Sequence, residues 1–205
     1  ASIIDVGGYS SRPDAAEVSE TEEMQRLEMA LQPLLQHYPD VVVSVDTFRS
    51  SVARQCVEKY GVAMINDISG GELDEQMFDT VAQLCVPYIM MHMRGTPQTM
   101  QQQTDYEDVT ADLLKYFSQK LERLFRLGVN DVILDPGFGF SKTLIQNYEL
   151  MRHLGDFRIF GLPLLVGISR KSMIYKLLET TPEESLNGTT VLHTYALLRG
   201  ADILR

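Results

Sequence analysis

A chain of 205 residues with 44% hydrophobic content suits one globular domain with a sizeable core. Its formal net charge of −10 leaves no basic stripe for a nucleic-acid backbone or an anionic membrane surface, so an anionic ligand has to be held by a local cluster of cations. The two cysteines, Cys56 and Cys85, read as reduced thiols rather than a disulfide framework, which favours a cytoplasmic setting, and the apolar runs fall far short of the roughly 20 residues of a membrane-spanning helix.

In chain order, the first strand candidate is Ser2–Val6, carrying Asp5 and followed by Ser10-Ser11-Arg12-Pro13. A helix follows over Ser19–Tyr38, with Met24, Leu27, Ala30, Leu31, Leu34 and Leu35 at steps of three and four and Glu20, Glu22 and Glu23 in its first turn. Val41–Asp46 is the second strand, Ser50–Lys59 the helix that Gly61 stops, and Val62–Asn66 the third strand. A helical pattern over Asp74–Leu84 leads into the strand Pro87–His92. A longer helix is expected from about Tyr106 to Arg126, stopped by Gly128, then the strand Val129–Asp135. Leu164–Ile168 is the sixth strand and runs into Ser169-Arg170-Lys171-Ser172. Thr181-Pro182-Glu183-Glu184, in capping-box order, opens a helix through Leu198 that Gly200 closes, and Ala201–Arg205 is the seventh strand.

Strand and helix alternate throughout, which calls for parallel strands with crossover helices. An open doubly wound sheet gathers its ligand residues at one switch point, whereas a (β/α)₈ barrel takes them from strand ends all round its carboxyl face. Polar ends on all seven runs favour the barrel. The expected architecture is therefore a single-domain α/β TIM barrel over 1–205 with seven of eight strands, short of a first βα unit and a closing helix.

Asp135, in Leu134-Asp135-Pro136-Gly137-Phe138-Gly139-Phe140-Ser141-Lys142-Thr143, leaves a buried strand beside two glycines that let the backbone approach a ligand. It either displays a carboxylate over a pocket or caps the following turn. Asp46 and the pair Asn66-Asp67 pose the same choice, because Asp is a common helix cap and Asn-Asp before Ser-Gly-Gly is turn chemistry. Together, two carboxylates and an amide aimed into one barrel mouth suit a heterocycle with adjacent N–H donors. Ser10–Arg12 and Ser169–Lys171 supply hydroxyls beside cations, which suits an anion, although a solvated loop is the better account of the first group alone and the poorer one of the second, which directly follows an apolar strand. His92 lacks a second histidine at ligand spacing and reads as a supporting residue near the pocket floor.

In order, Asp5–Pro13, Ser44–Thr47, Ile65–Asp67, Met91–Pro97, Leu134–Phe140 and Gly167–Ser172 resemble the motifs of dihydropteroate synthases. The resemblance spans the chain. It implies a (β/α)₈ barrel that joins 6-hydroxymethyl-7,8-dihydropterin diphosphate to 4-aminobenzoate, releasing pyrophosphate and making 7,8-dihydropteroate for folate synthesis. It further implies that Asp46, Asn66, Asp135, Lys171 and Arg205 bind the pterin, with Asp46, Lys171 and Arg205 taking part in the chemistry. Ser11, Arg12 and Arg205 would hold anionic oxygens, and Phe140 and Ser169 would border the aminobenzoate.

Two departures from the family pattern stand out. Ser10-Ser11-Arg12-Pro13-Asp14 replaces Ser-Thr-Arg-Pro-Gly, which adds a carboxylate near the anion site. The family's first strand, whose asparagine is its Mg²⁺ ligand, and the histidine expected after Arg205 are not in this sequence, so no metal ligand is assigned and an incomplete barrel with exposed strand edges is expected. Family resemblance also implies a homodimer. The competing readings are a pterin-binding barrel that passes a folate methyl group to cobalamin, against which Ser-Arg-Lys-Ser and Ser-Ser-Arg-Pro argue, and a non-catalytic pterin-binding barrel.

Overall fold

A computed structural model describes residues 1–12 and 15–205 of the chain. Pro13 and the extra carboxylate Asp14 therefore lie outside the described residues. Seven parallel strands alternate with helices: β1 Ile4–Gly7, β2 Val43–Asp46, β3 Met64–Asp67, β4 Tyr88–Met91, β5 Val132–Asp135, β6 Leu165–Val166 and β7 Ile203–Leu204. The helices are α1 Glu20–His37, α2 Ser50–Tyr60, α3 Met77–Leu84, α4 Val109–Arg126, α5 Leu144–Arg152, α6 Ser172–Tyr175 and α7 Leu186–Leu198. No helix among the described residues is long and apolar enough to cross a membrane.

β1 through β5 pair in sequence order, β6 pairs with β7, and a parallel bridge between Leu134 and Leu164 joins the two groups. The order thus runs β1 to β7 without a swap. Its two ends meet, because Arg205 Nη1 donates to Asp5 Oδ2 at 2.8 Å across the seam. The sheet is therefore curled so that a side chain just after β7 reaches β1, as expected of a barrel short of one strand. Among the described residues no backbone ladder joins β7 to β1, so the ring has a seam there.

The helix caps follow from sequence chemistry. Ser19 Oγ accepts the Glu22 N–H at 3.2 Å to start α1, and Asp108 accepts the Ala111 N–H at 2.9 Å to start α4. Gly61, at φ +65°, ends α2 in the left-handed conformation that costs glycine least. Three helix starts depart from expectation. α3 begins at Met77 rather than Asp74, because Asp74 instead accepts the N–H groups of Ser50 at 2.7 Å and Gln76 at 2.9 Å, capping α2 from a distance. α4 begins three residues after Tyr106, at its Asp108 cap. α7 begins at Leu186, since Pro182–Ser185 form a separate turn and the Glu184 side chain takes the Thr180 hydroxyl at 2.6 Å instead of closing the box on Thr181. Among the described residues a closed capping box stands at Thr143 and Gln146, opening α5, a helix not among the expected elements.

Two layers of apolar packing hold the ring. Outside the strands, Leu27 and Leu31 of α1, Phe78 of α3, and Leu113, Phe117, Leu121 and Leu124 of α4 join strand residues such as Val45, Tyr88 and Leu134 in one core. Inside the ring, Met64, Ile89, Ile133 and Leu165 form a plug with Ile3 and Ile203 against it. Side chains alternate along a strand, so the inward residues one step above that plug are Asp5, Asn66, Asp135 and Arg205. The apolar plug is the floor beneath a polar mouth.

Candidate active site

Four strand ends are wired together across the mouth. Asn66 Nδ2 donates to Asp5 Oδ2 at 2.9 Å, and Arg205 bridges Asp5 Oδ2 at 2.8 Å and Asp135 Oδ2 at 3.2 Å. Asp135 Oδ1 accepts the Gly137 N–H at 2.8 Å. Asp135 thus caps the turn with one oxygen and pairs with Arg205 through the other. The Asn66-Asp67 pair divides the roles differently. Asp67 turns outward and accepts from the Ser69 N–H and hydroxyl, the Gly71 N–H and the Tyr88 hydroxyl, which fixes the turn, whereas Asn66 Oδ1 is buried without a partner. An unpartnered buried carbonyl costs free energy unless a ligand supplies a donor.

Asp46 lies in register with Gly7 and Asn66 and receives no hydrogen bond among the described residues. Burial, then the neighbouring Asp5 charge, pushes its carboxyl up to about 7, with Arg205 pulling the other way. Gly7 leaves room beside it: a Cβ there would stand 3.3 Å from the Asp46 Cβ, a tight contact. Asp46 thus brings to the mouth a carboxyl group that no hydrogen bond among the described residues engages.

The loop after β5 brings in the cation. Lys171 Nζ donates to the Phe138 carbonyl at 2.6 Å and sits 4.7 Å from the Phe140 ring centroid. Burial lowers its pKa to about 8, partly offset by Asp135. Gly167 leaves room for Arg205, whose Nε would lie 3.2 Å from a Cβ at that position. Phe140 belongs to an apolar wall with Ile68, Met91, Met93 and Met100.

Asp46, Asn66, Asp135, Lys171 and Arg205 are therefore gathered at one mouth. Ser11, Arg12 and Ser169 are not tied into it: Arg12 and Ser169 are exposed, and no hydrogen bond among the described residues links Ser11, Arg12 or the Ser169 side chain to the cluster. Two residues of the site carried no assigned role in the sequence. Asp5 is the shared acceptor of Asn66 and Arg205, and its position at a strand end was the available signal. Lys142 is 3% exposed and its Nζ lies 3.1 Å from His92 Nδ1, 3.0 Å from the Gly137 carbonyl and 2.9 Å from the Phe140 carbonyl. His92 accordingly supports the site from behind, with burial and the Lys142 charge keeping its pKa well below the usual histidine value.

The sequence matches the family described as pterin binding enzyme over residues 1–205. It is 44% identical to the dihydropteroate synthases of Synechocystis sp. and Escherichia coli, in alignments that cover all of this chain and 71% and 72% of theirs. This chain belongs to the dihydropteroate synthase family. Solved dihydropteroate synthases share its fold: that of Yersinia pestis in a sulfonamide drug complex superposes with a TM-score of 0.94 at 40% identity, covering 100% of this chain and 74% of the other. That of Thermus thermophilus in complex with 4-aminobenzoate gives 0.93 at 37%, covering 100% and 78%. Membership makes the chain a transferase of folate synthesis and places the polar mouth on a pterin-binding barrel.

Proposed function

We propose that the strand-end cluster condenses 6-hydroxymethyl-7,8-dihydropterin diphosphate with 4-aminobenzoate to give 7,8-dihydropteroate and pyrophosphate. The observation that carries this reading is the convergence of the unpartnered Asn66 Oδ1, the free carboxylate of Asp46 and Asp135 Oδ2 above an apolar plug. A pterin presents a flat ring edged with N–H donors, which these oxygens accept, while Lys171 donates to the ring's acceptor side. Its stem and the Phe140–Met91 wall cover the ring faces. Arg205, already between two carboxylates, neutralises the floor and turns toward the diphosphate, with Ser11 and Arg12 closing on the outer oxygens.

In the reaction the bond from the exocyclic methylene to the diphosphate oxygen breaks, and its electron pair leaves with pyrophosphate. Positive charge is left on the methylene and the conjugated pterin ring, which the Asp46 carboxylate stabilises. The lone pair of the 4-aminobenzoate amine, held beside Phe140 and Ser169, forms the new C–N bond, and the amine then gives up one proton. No covalent enzyme intermediate is required, so positioning and electrostatics supply the catalysis.

Mg²⁺ belongs to the reading as a companion of the diphosphate, but the residues present do not fit it as a set. Among the described residues no group of three or more His, Cys, Asp or Glu side chains is disposed to hold a metal, and Asp5 and Asp135 are engaged by Arg205. The steps above run without it. A homodimer is also part of the proposal, supported by α7, which packs Leu192, Tyr195 and Ala196 inward yet exposes Leu186, Val191, Leu197 and Leu198. A cytoplasmic setting suits the unpaired thiols of Cys56 and Cys85.

The deciding assay supplies both substrates and Mg²⁺ to the full gene product and follows pyrophosphate release and 7,8-dihydropteroate by chromatography. Asp135→Asn should weaken binding of the pterin diphosphate by about 2–3 kcal/mol, because a buried N–H loses a charged acceptor. Wild-type protein that binds the pterin yet releases no pyrophosphate, or an Asp135→Asn variant with unchanged affinity by calorimetry, would overturn the assignment.

A further inference from the structure

Lys142 is a buried cation that no carboxylate contacts. Its three neighbours are two backbone carbonyls and a ring nitrogen, and an ammonium has three N–H donors to meet them. Burying a lone ammonium is costly, so a core that needed only volume at this place would be served by an apolar side chain. The expense is met by what the amine holds. Gly137 and Phe140 belong to the segment between β5 and α5 that carries the site, and that segment has little regular backbone hydrogen bonding of its own. Gly137, Gly139 and Ser141 all have positive φ, at +70°, +83° and +48°. Such a run keeps one conformation only when its surroundings determine it.

Each of the clasped groups adjoins one that faces the mouth. The Gly137 N–H orients Asp135 Oδ1 while its carbonyl is held by Lys142. The Phe138 carbonyl receives Lys171, and the Phe140 ring lies against that same amine. The β4 loop completes the clasp: His92 Nδ1 takes the third donor, and the Arg94 N–H reaches Ser141 Oγ at 3.0 Å. A Cβ at Gly137 would lie 2.2 Å from the His92 carbonyl, so the two loops are packed at backbone contact.

We infer that Lys142 is a positioning residue for the condensation: by clasping the Gly137 and Phe140 carbonyls and the His92 ring, it fixes the 136–142 loop so that Asp135, Lys171 and Phe140 face one pterin. The inference rests on the reaction proposed above and adds a group that does not touch the substrate. Burial, which holds the Lys142 pKa well below that of free lysine, accords with an amine engaged by neutral acceptors.

The test is Lys142→Met, which keeps the stem and deletes the donors, in the full gene product. Calorimetry with the pterin diphosphate should show Kd raised roughly tenfold or more and kcat lowered about 100-fold, the scale of a 1 Å misplacement, in a variant that melts well above the assay temperature. A residue serving stability alone would lower the melting temperature and leave Kd and kcat in place. His92→Phe removes one acceptor while keeping ring volume, and should give a smaller loss of the same kind. The double variant should then be no worse than Lys142→Met, because both changes open one clasp. A folded Lys142→Met with wild-type Kd and kcat, or losses that multiply in the double variant, would overturn the inference. If Lys142→Met does not fold, Lys142→Gln replaces it, and failure of both to fold assigns Lys142 to stability and overturns positioning. Wild-type protein that binds the pterin without turnover sinks the reaction but leaves the Kd comparison decisive.

Discussion

At the level of single residues, the mouth sets two ionisations against each other. Asp46 is pushed up to about 7 and Lys171 down to about 8, and the condensation uses the carboxylate of one and the ammonium of the other. The kcat/KM of the free enzyme should therefore rise as pH climbs through about 7 and fall as it passes about 8, a narrow bell. Asp5→Asn removes a negative neighbour of Asp46, so the acid limb should move to lower pH, and an unmoved limb would clear Asp46 of that role. The sign for folding is the opposite of the usual carboxylate case. Because the folded chain holds the Asp46 proton that the unfolded chain releases, this group's contribution is present at low pH and lost as pH rises toward about 7. Asp46, Asn66 and Asp135 were legible as polar residues ending apolar runs. Lys142 was not, since its meaning lies in its burial and in two carbonyls that no side-chain pattern reveals. Ser11, Arg12 and Ser169 were legible as hydroxyls beside cations and through the resemblance, and the fold leaves them outside the wired cluster.

At the level of elements, one buried carboxylate seats α1 on the ring. Glu23 is fully buried, accepts the Thr47 hydroxyl at 2.7 Å and pairs with Arg49, which also donates to the Val18 carbonyl at 2.8 Å. Gly8 must be glycine for this approach, because a Cβ would lie 2.6 Å from the Glu23 carbonyl. Glu23→Gln keeps the volume and strands the Arg49 charge, and should cost about 2 kcal/mol in urea unfolding with an unchanged m value. An unchanged midpoint would mean that the pair contributes nothing net. Strand and long-helix identities were readable because hydrophobic periodicity is a property of every residue in the run. Helix starts were not, where a capping side chain was recruited elsewhere, as Asp74 is by the Ser50 N–H and Glu184 by Thr180. The Thr143–Gln146 box was visible in principle but sat against a loop whose glycines carry the stronger signal.

At the level of the whole molecule, α7 offers the association test. Leu198 is 81% and Val191 59% exposed, on a helix with few charges to keep that side in water. Sedimentation equilibrium of the full gene product should give a dimer, and Val191→Glu with Leu198→Glu should shift it toward monomer. A wild-type monomer at micromolar concentration would remove the dimer from the proposed function.

The bond between Arg205 and Asp5 bears on how the polar mouth is assembled. Arg205 and Asp5 stand 200 residues apart in sequence, and β7 is two residues long and laddered to β6 alone among the described residues. The polar mouth is therefore a long-range construction, formed only when β7 stands across from β1. A ligand filling that mouth binds only the folded arrangement, and at 100 times its Kd adds about 2.7 kcal/mol to the stability of that state. Ligand occupancy and the placing of β7 beside β1 are thus linked, each favouring the other.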